Sequence, residues 1–142
     1  VTTADRDIQI LRSFIQLKRK EQDRKLKELR EQAEKDFSKI LSLIINEFKP
    51  TRVYQWGSLL EGNRFQEISD IDIAVEGITD PKTFFSLYRK AQGLTSFPLH
   101  LVQMETIHPE YANNIRQKGK LLYEKKIRTE PWEAGEPRYT FG

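Results

Sequence analysis

Asp70 and Asp72 are two carboxylates one residue apart, at the head of the apolar run Ile71, Ile73, Ala74 and Val75. On a strand, residues i and i+2 share a face. Asp70, Asp72 and the small Ala74 are therefore expected on one side, with Ile71, Ile73 and Val75 turned the other way into a core. Neighbouring carboxylates raise each other's pKa unless a cation lies between them. Mg2+ suits such oxygen donors, because it takes one or two protein carboxylates and completes its shell with water and phosphate oxygens. Mn2+ accepts the same ligands. Upstream, Gly57-Ser58 follows the strand-like run Val53-Tyr54-Gln55-Trp56. A glycine there lets backbone approach a ligand with no side chain in the way. A helix opening at Ser58 or Leu59 would turn its free N–H groups toward a phosphate.

These residues need a scaffold, and the rest of the chain supplies a pattern for one. From about Asp5 to Lys49 there is no glycine or proline, and the residues are mostly good helix formers. Leu26, Leu29, Ala33, Phe37, Ile40, Leu41, Ile44 and Phe48 recur at helical spacing and predict one apolar face. Pro50 stops the helix. The earlier part differs: Ile8, Ile10, Leu11, Phe14, Ile15 and Leu17 point around most of a helix, and Lys18 to Lys25 is almost wholly polar. An unbroken helix here would be about 60 Å long at about 1.5 Å per residue. The remaining domain should be only about 30 to 35 Å across. The first 25 residues would then overhang. Their apolar side chains need cover from a second copy, from another protein, or from a fold-back at Lys18 to Lys25. Self-association through this helix is the expectation.

After Pro50 the reading is mixed. Arg52 to Trp56 is a strand, Leu59 to Phe65 a short helix, and Asp70 to Glu76 a second strand. Asp80 caps a helix with Pro81 at its first position. Phe84, Phe85, Leu87, Tyr88 and Ala91 form that helix's core face, and Gly93 ends it. Phe97 to Gln103 is a third strand. A helix from about Pro109 to Lys118 ends at Gly119, and Lys120 to Glu124 is a short last strand. The segment from Arg128, with Trp132, Tyr139 and Phe141, reads as extended chain. Three parts follow: 1–25 as a helical extension, 26–127 as the main domain, and 128–142 as a tail.

Composition narrows the chemistry. The 142 residues contain no cysteine and two histidines, so disulfides, thiolate zinc sites and cysteine nucleophiles are excluded. The net charge of +3 comes from mixed signs, unlike the concentrated basic face of a nucleic-acid binder. The longest apolar run, Ile40 to Ile45, is too short to span a bilayer, and no signal peptide is visible, so the expected setting is the cytosol. Lys18-Arg19-Lys20 is interrupted by Glu21 and Asp23 and reads as a solvated face. Gly119-Lys120-Leu121 lacks the remaining residues of a Walker loop. His108, just before Pro109, reads as a loop residue.

Gly57-Ser58, eleven intervening residues, and then Asp70-Ile71-Asp72-Ile73 resemble the signature of the polymerase-beta-like nucleotidyltransferase superfamily. The small size is similar to the minimal nucleotidyltransferase (MNT) domains, antitoxin-like partners of HEPN proteins. Ile115 to Glu124 resembles the way those domains close. The resemblance implies an α+β fold, a small mixed sheet flanked by helices. It also implies transfer of a nucleotidyl group from a nucleoside triphosphate, with ATP the leading donor, to a hydroxyl on a HEPN-type partner or a small molecule. Gly57 and Ser58 would grip the outer phosphates, and Asp70 and Asp72 would hold Mg2+. A third carboxylate normally lies on the next strand, and His100 stands in its place. A neutral imidazole can act as base or ligand but brings no negative charge. Glu105 would substitute only if the chain bends back. The alternative is a domain of this fold with little or no transfer, acting as a protein-binding module. A DNA polymerase role is not expected, because the chain has no room for additional DNA-gripping domains.

Overall fold

A computed structural model describes residues 2–61 and 70–126. The elements run α1 (Thr3–Leu43), a π-helical turn (Ile44–Phe48), β1 (Arg52–Trp56), α2 (Ser58–Glu61), β2 (Ile71–Glu76), α3 (Pro81–Gln92), β3 (Leu99–Gln103), α4 (Pro109–Lys118) and β4 (Lys120–Glu124). The strands form one sheet in the order β3-β2-β1-β4. β1 is antiparallel to β2 and β4, whereas β3 runs parallel to β2. The architecture is α+β with a mixed sheet, as expected.

The two faces of the sheet carry separate apolar clusters. Ile71, Ile73 and Val75 of β2 face Phe37, Ile40 and Ile44 from the α1 end, together with Leu87 and Ala91 of α3. Tyr54 and Ala74 face Met104 and Ala112 and Ile115 of α4. The expected alternation therefore holds, but both sides of β2 are covered and its first five residues are all buried. Apolar transfer from water drives both layers.

α1 is one continuous helix, so the fold-back at Lys18 to Lys25 does not occur. That segment contains no helix breaker, and its charges pair along the helix: Glu21 with Lys25 at 3.9 Å and Arg24 with Glu28 at 3.2 Å. Every residue from Thr2 to Lys25 is exposed, and Leu26 is the first to be half-buried. The last turn widens, with the Lys49 N–H donating to Ile44 O at 3.1 Å, and Lys49 ends it in the left-handed region. The sequence pattern held no sign of that widening. Asp36, buried in α1, accepts from Gln32 Nε2 at 2.8 Å and from Thr95 Oγ1 at 2.7 Å. It pins the helix to the loop before β3.

Several details correct the sequence reading. β2 begins at Ile71 and β3 at Leu99, each later than expected. Phe85 of α3 is exposed rather than part of the core face. His108 is not an idle loop residue: it caps α4, its Nδ1 accepting from the Glu110 N–H at 3.2 Å. The Leu59–Phe65 helix is seen as Ser58–Glu61, and its later part and the tail aromatics lie outside the described residues. Among the described residues, no helix is long and apolar enough to cross a membrane.

Candidate active site

Sheet register brings the site together. In the antiparallel pair Trp56 stands opposite Asp72, and in the parallel pair Asp72 stands beside His100. Trp56, Asp72 and His100 thus form one row across three strands, all on the α4 side. Asp72 is buried, and its Oδ1 accepts from His100 Nδ1 at 3.2 Å. The His100 ring meets Trp56 edge to face, with ring centres 5.0 Å apart, and its side chain is still 55% exposed. His100 is therefore anchored on one side and open to solvent on the other.

Gly57 turns the chain at the end of β1 with φ +81. A Cβ there would overlap the Asp72 carboxyl group, so the turn needs glycine both for its backbone conformation and for space. α2 starts at the next residue, Ser58, and its Leu59 is buried in the main cluster. Arg30 of α1 donates to Leu59 O at 2.7 Å and fixes the short helix from behind. The phosphate-facing turn expected from the sequence is thus seated directly on one of the expected metal-binding carboxylates.

Burial pushes the Asp72 carboxyl above its ordinary pKa. His100 pulls it down, and Asp70, half-buried just outside the strand, adds to the upward push. Among the described residues no three His, Cys, Asp or Glu side chains are placed to enclose a metal. Two carboxylates are nevertheless the donor set that Mg2+ takes when phosphate and water complete its shell. A buried carboxylate with a second acid nearby is the environment that a bound cation relieves. The residues present fit the ion, with Asp70 and Asp72 as the groups that would hold it.

Glu105 does not reach this site. Its Oε2 accepts from the Gly77 N–H at 2.8 Å, at the far end of β2. Beside His100 lies a cleft of about 490 Å³, bounded by Trp56, Val102, Ile107, His108, Tyr111 and Ile115 among others. Trp56 is the site residue that the motif reading passed over. Its position directly before Gly57 was the available signal, but its partner across the sheet depends on register.

The sequence profile described as Polymerase beta, Nucleotidyltransferase matches residues 38–128. No curated protein matches the chain at a significant level. Among solved structures, a toxin–antitoxin structure with AMP-PNP contains a chain 26% identical to this one, covering 66% of this chain and 74% of that one, with a TM-score of 0.51. A structure of the tri-AMPylated Shewanella oneidensis HEPN toxin in complex with MNT antitoxin has a chain 24% identical, covering 66% and 73%, with a TM-score of 0.50. This second likeness speaks for the fold. Over the region that carries Gly57, Asp70, Asp72 and His100, the chain belongs to the polymerase beta nucleotidyltransferase family.

Proposed function

We propose that residues 26–127 form a Mg2+-dependent nucleotidyltransferase unit that moves a nucleotidyl group from a triphosphate, with ATP as donor, to a hydroxyl acceptor in the cytosol. The observation that carries this reading is the seating of the Gly57 turn on the Asp72 carboxyl, which supports a phosphate grip beside a metal-holding carboxylate. Backbone N–H groups at Gly57 and Ser58 hold the outer phosphates, and Asp70 and Asp72 hold the ion. When bound, Mg2+ neutralises phosphate charge and aligns the attacking and leaving oxygens. The acceptor oxygen attacks the α-phosphorus, the bond from that phosphorus to pyrophosphate breaks, and the hydroxyl proton leaves to a base. His100 Nε2 is the group for that proton, since Nδ1 is directed at Asp72. The cleft beside His100 offers room for the acceptor.

The AMP-PNP and the toxin in one similar toxin–antitoxin structure support an adenine nucleotide as donor and a toxin protein as partner, for which the resemblance named a HEPN-type protein. The exposed front of α1 supports a further contact, with a second copy of the chain. One observation favours a second reading. His100 stands where the resemblance calls for an acid, so a domain that binds its partner with little transfer also fits.

Label transfer from ATP labelled at the α-phosphate, with Mg2+ and a HEPN-type protein, separates the two. The transferase reading expects transfer that disappears in Asp70→Ala and Asp72→Ala, and that falls or holds level in His100→Asp. No transfer from any triphosphate, with partner binding untouched by Asp70→Ala, overturns it. A rise in His100→Asp supports the binding-module reading.

A further inference from the structure

The exposed front of α1 has an order that its amphipathicity alone does not require. Reading outward from a point between Arg12 and Ser13, Leu11 is matched by Phe14, Ile10 by Ile15, Gln9 by Gln16, and Ile8 by Leu17. Asp7 is then matched by Lys18, and Asp5 by Lys20. Apolar residues answer apolar ones, and acids answer bases. Arg6 and Arg19 are the like-charged exception.

Helical spacing puts part of this pattern on one line. Asp7, Leu11, Phe14 and Lys18 are separated by steps of 4, 3 and 4 residues and so share a face. Ile8 and Ile15 flank that line on one side, and Ile10 and Leu17 on the other. Leu11 and Phe14 are both more than half exposed, and the Lys18 Nζ lies 5.0 Å from the centre of the Phe14 ring. The stripe is therefore apolar in its middle, acidic at one end and basic at the other.

We propose that this stripe pairs two copies of the chain antiparallel, about a two-fold axis passing between Arg12 and Ser13. A two-fold axis makes residue i of one copy meet residue j of the other, and j meet i. Leu11 then packs on Phe14 of the second copy, and Asp7 meets Lys18 at both ends. A parallel pair would set Asp7 against Asp7 and Lys18 against Lys18, and like-charge juxtaposition opposes association. The residues on either side of the axis out to Lys25 are exposed and open to pairing, and Leu26 is the first that the domain half-covers. The two domains lie at opposite ends of a helical rod, with their Gly57–Asp72 sites clear of the contact.

The pairing deepens the self-association reading and is independent of nucleotidyl transfer, so sedimentation and label transfer fail separately. Sedimentation of the full chain over a concentration series is expected to show a monomer–dimer equilibrium. Asp7→Lys should weaken the dimer on the order of tenfold, and Asp7→Lys combined with Lys18→Asp should restore most of the loss. Circular dichroism checks that each variant is folded. Because the chain has no cysteine, orientation can be read directly by mixing Asp7→Cys chains with Lys18→Cys chains under oxidation. Mixed disulfides between the two variants support the antiparallel pair. Disulfides formed only within each variant, or a chain that stays monomeric and associates only with a different protein, overturn it.

Discussion

Asp72 pays for its position in stability. Its carboxyl is held above the ordinary value by burial, so the folded state disfavours the charged form. For a raised acid the folding penalty is absent below the unfolded pKa and complete above the folded one. Asp72→Asn should therefore melt at or above the wild-type temperature near neutral pH, with the difference shrinking as the pH falls into the ordinary carboxylate range. Mg2+ with nucleotide is expected to raise the melting temperature of the wild type, and the same variant should lose that rise. Thermal melts over a pH series check both, and a neutral-pH destabilisation would show that the carboxylate is an asset to the fold. Gly57→Ala sets a methyl group against that carboxyl in a left-handed turn. A cost of about 1–3 kcal/mol is expected, with loss of the nucleotide-dependent shift; chemical denaturation measures the first and thermal melts the second.

At the scale of elements, α1 does two jobs with different energetics. Its C-terminal part is a wall of the core, where Ile40 is fully buried. Ile40→Ala should cost about 2–5 kcal/mol through lost transfer energy and a cavity. Gln22→Ala, in the exposed middle, should fall within about 0.5 kcal/mol of wild type. Denaturant unfolding distinguishes them. Much of this layout was legible in the chain. β1, α4 and β4 have the ends that periodicity and the Pro and Gly signals indicated, and Asp80 with Pro81 opens α3 as expected. The alternation of Asp70 to Val75 also gave the two faces of β2. What stayed hidden is non-local. The row Trp56–Asp72–His100 exists only once strands pair in a given register, and the burial of Ala74 depends on α4 crossing that face. Asp36 is a similar case, because a polar residue on an apolar helix face is explained only by Thr95, far away in sequence. The widened turn at Ile44–Phe48 has no composition signal, since its residues suit an ordinary helix equally well.

On the proposed reading the molecule separates into a nucleotidyl-transfer end and a self-pairing end joined by one helix. Leu11→Glu places a charge in the middle of the exposed stripe and touches nothing in the core. It should abolish self-association in sedimentation while leaving the Mg2+-nucleotide melting shift unchanged. A shift lost together with the dimer would mean that the two ends are coupled through α1. The central claim is narrower: Gly57, Asp70 and Asp72 hold a metal-bound triphosphate. Titration calorimetry of the full chain with AMP-PNP, with and without Mg2+, tests it most directly. The account predicts saturable binding that requires Mg2+ and is lost in Asp70→Asn and in Asp72→Asn. Absence of binding to the wild type, or binding that persists unchanged in both variants, would contradict it.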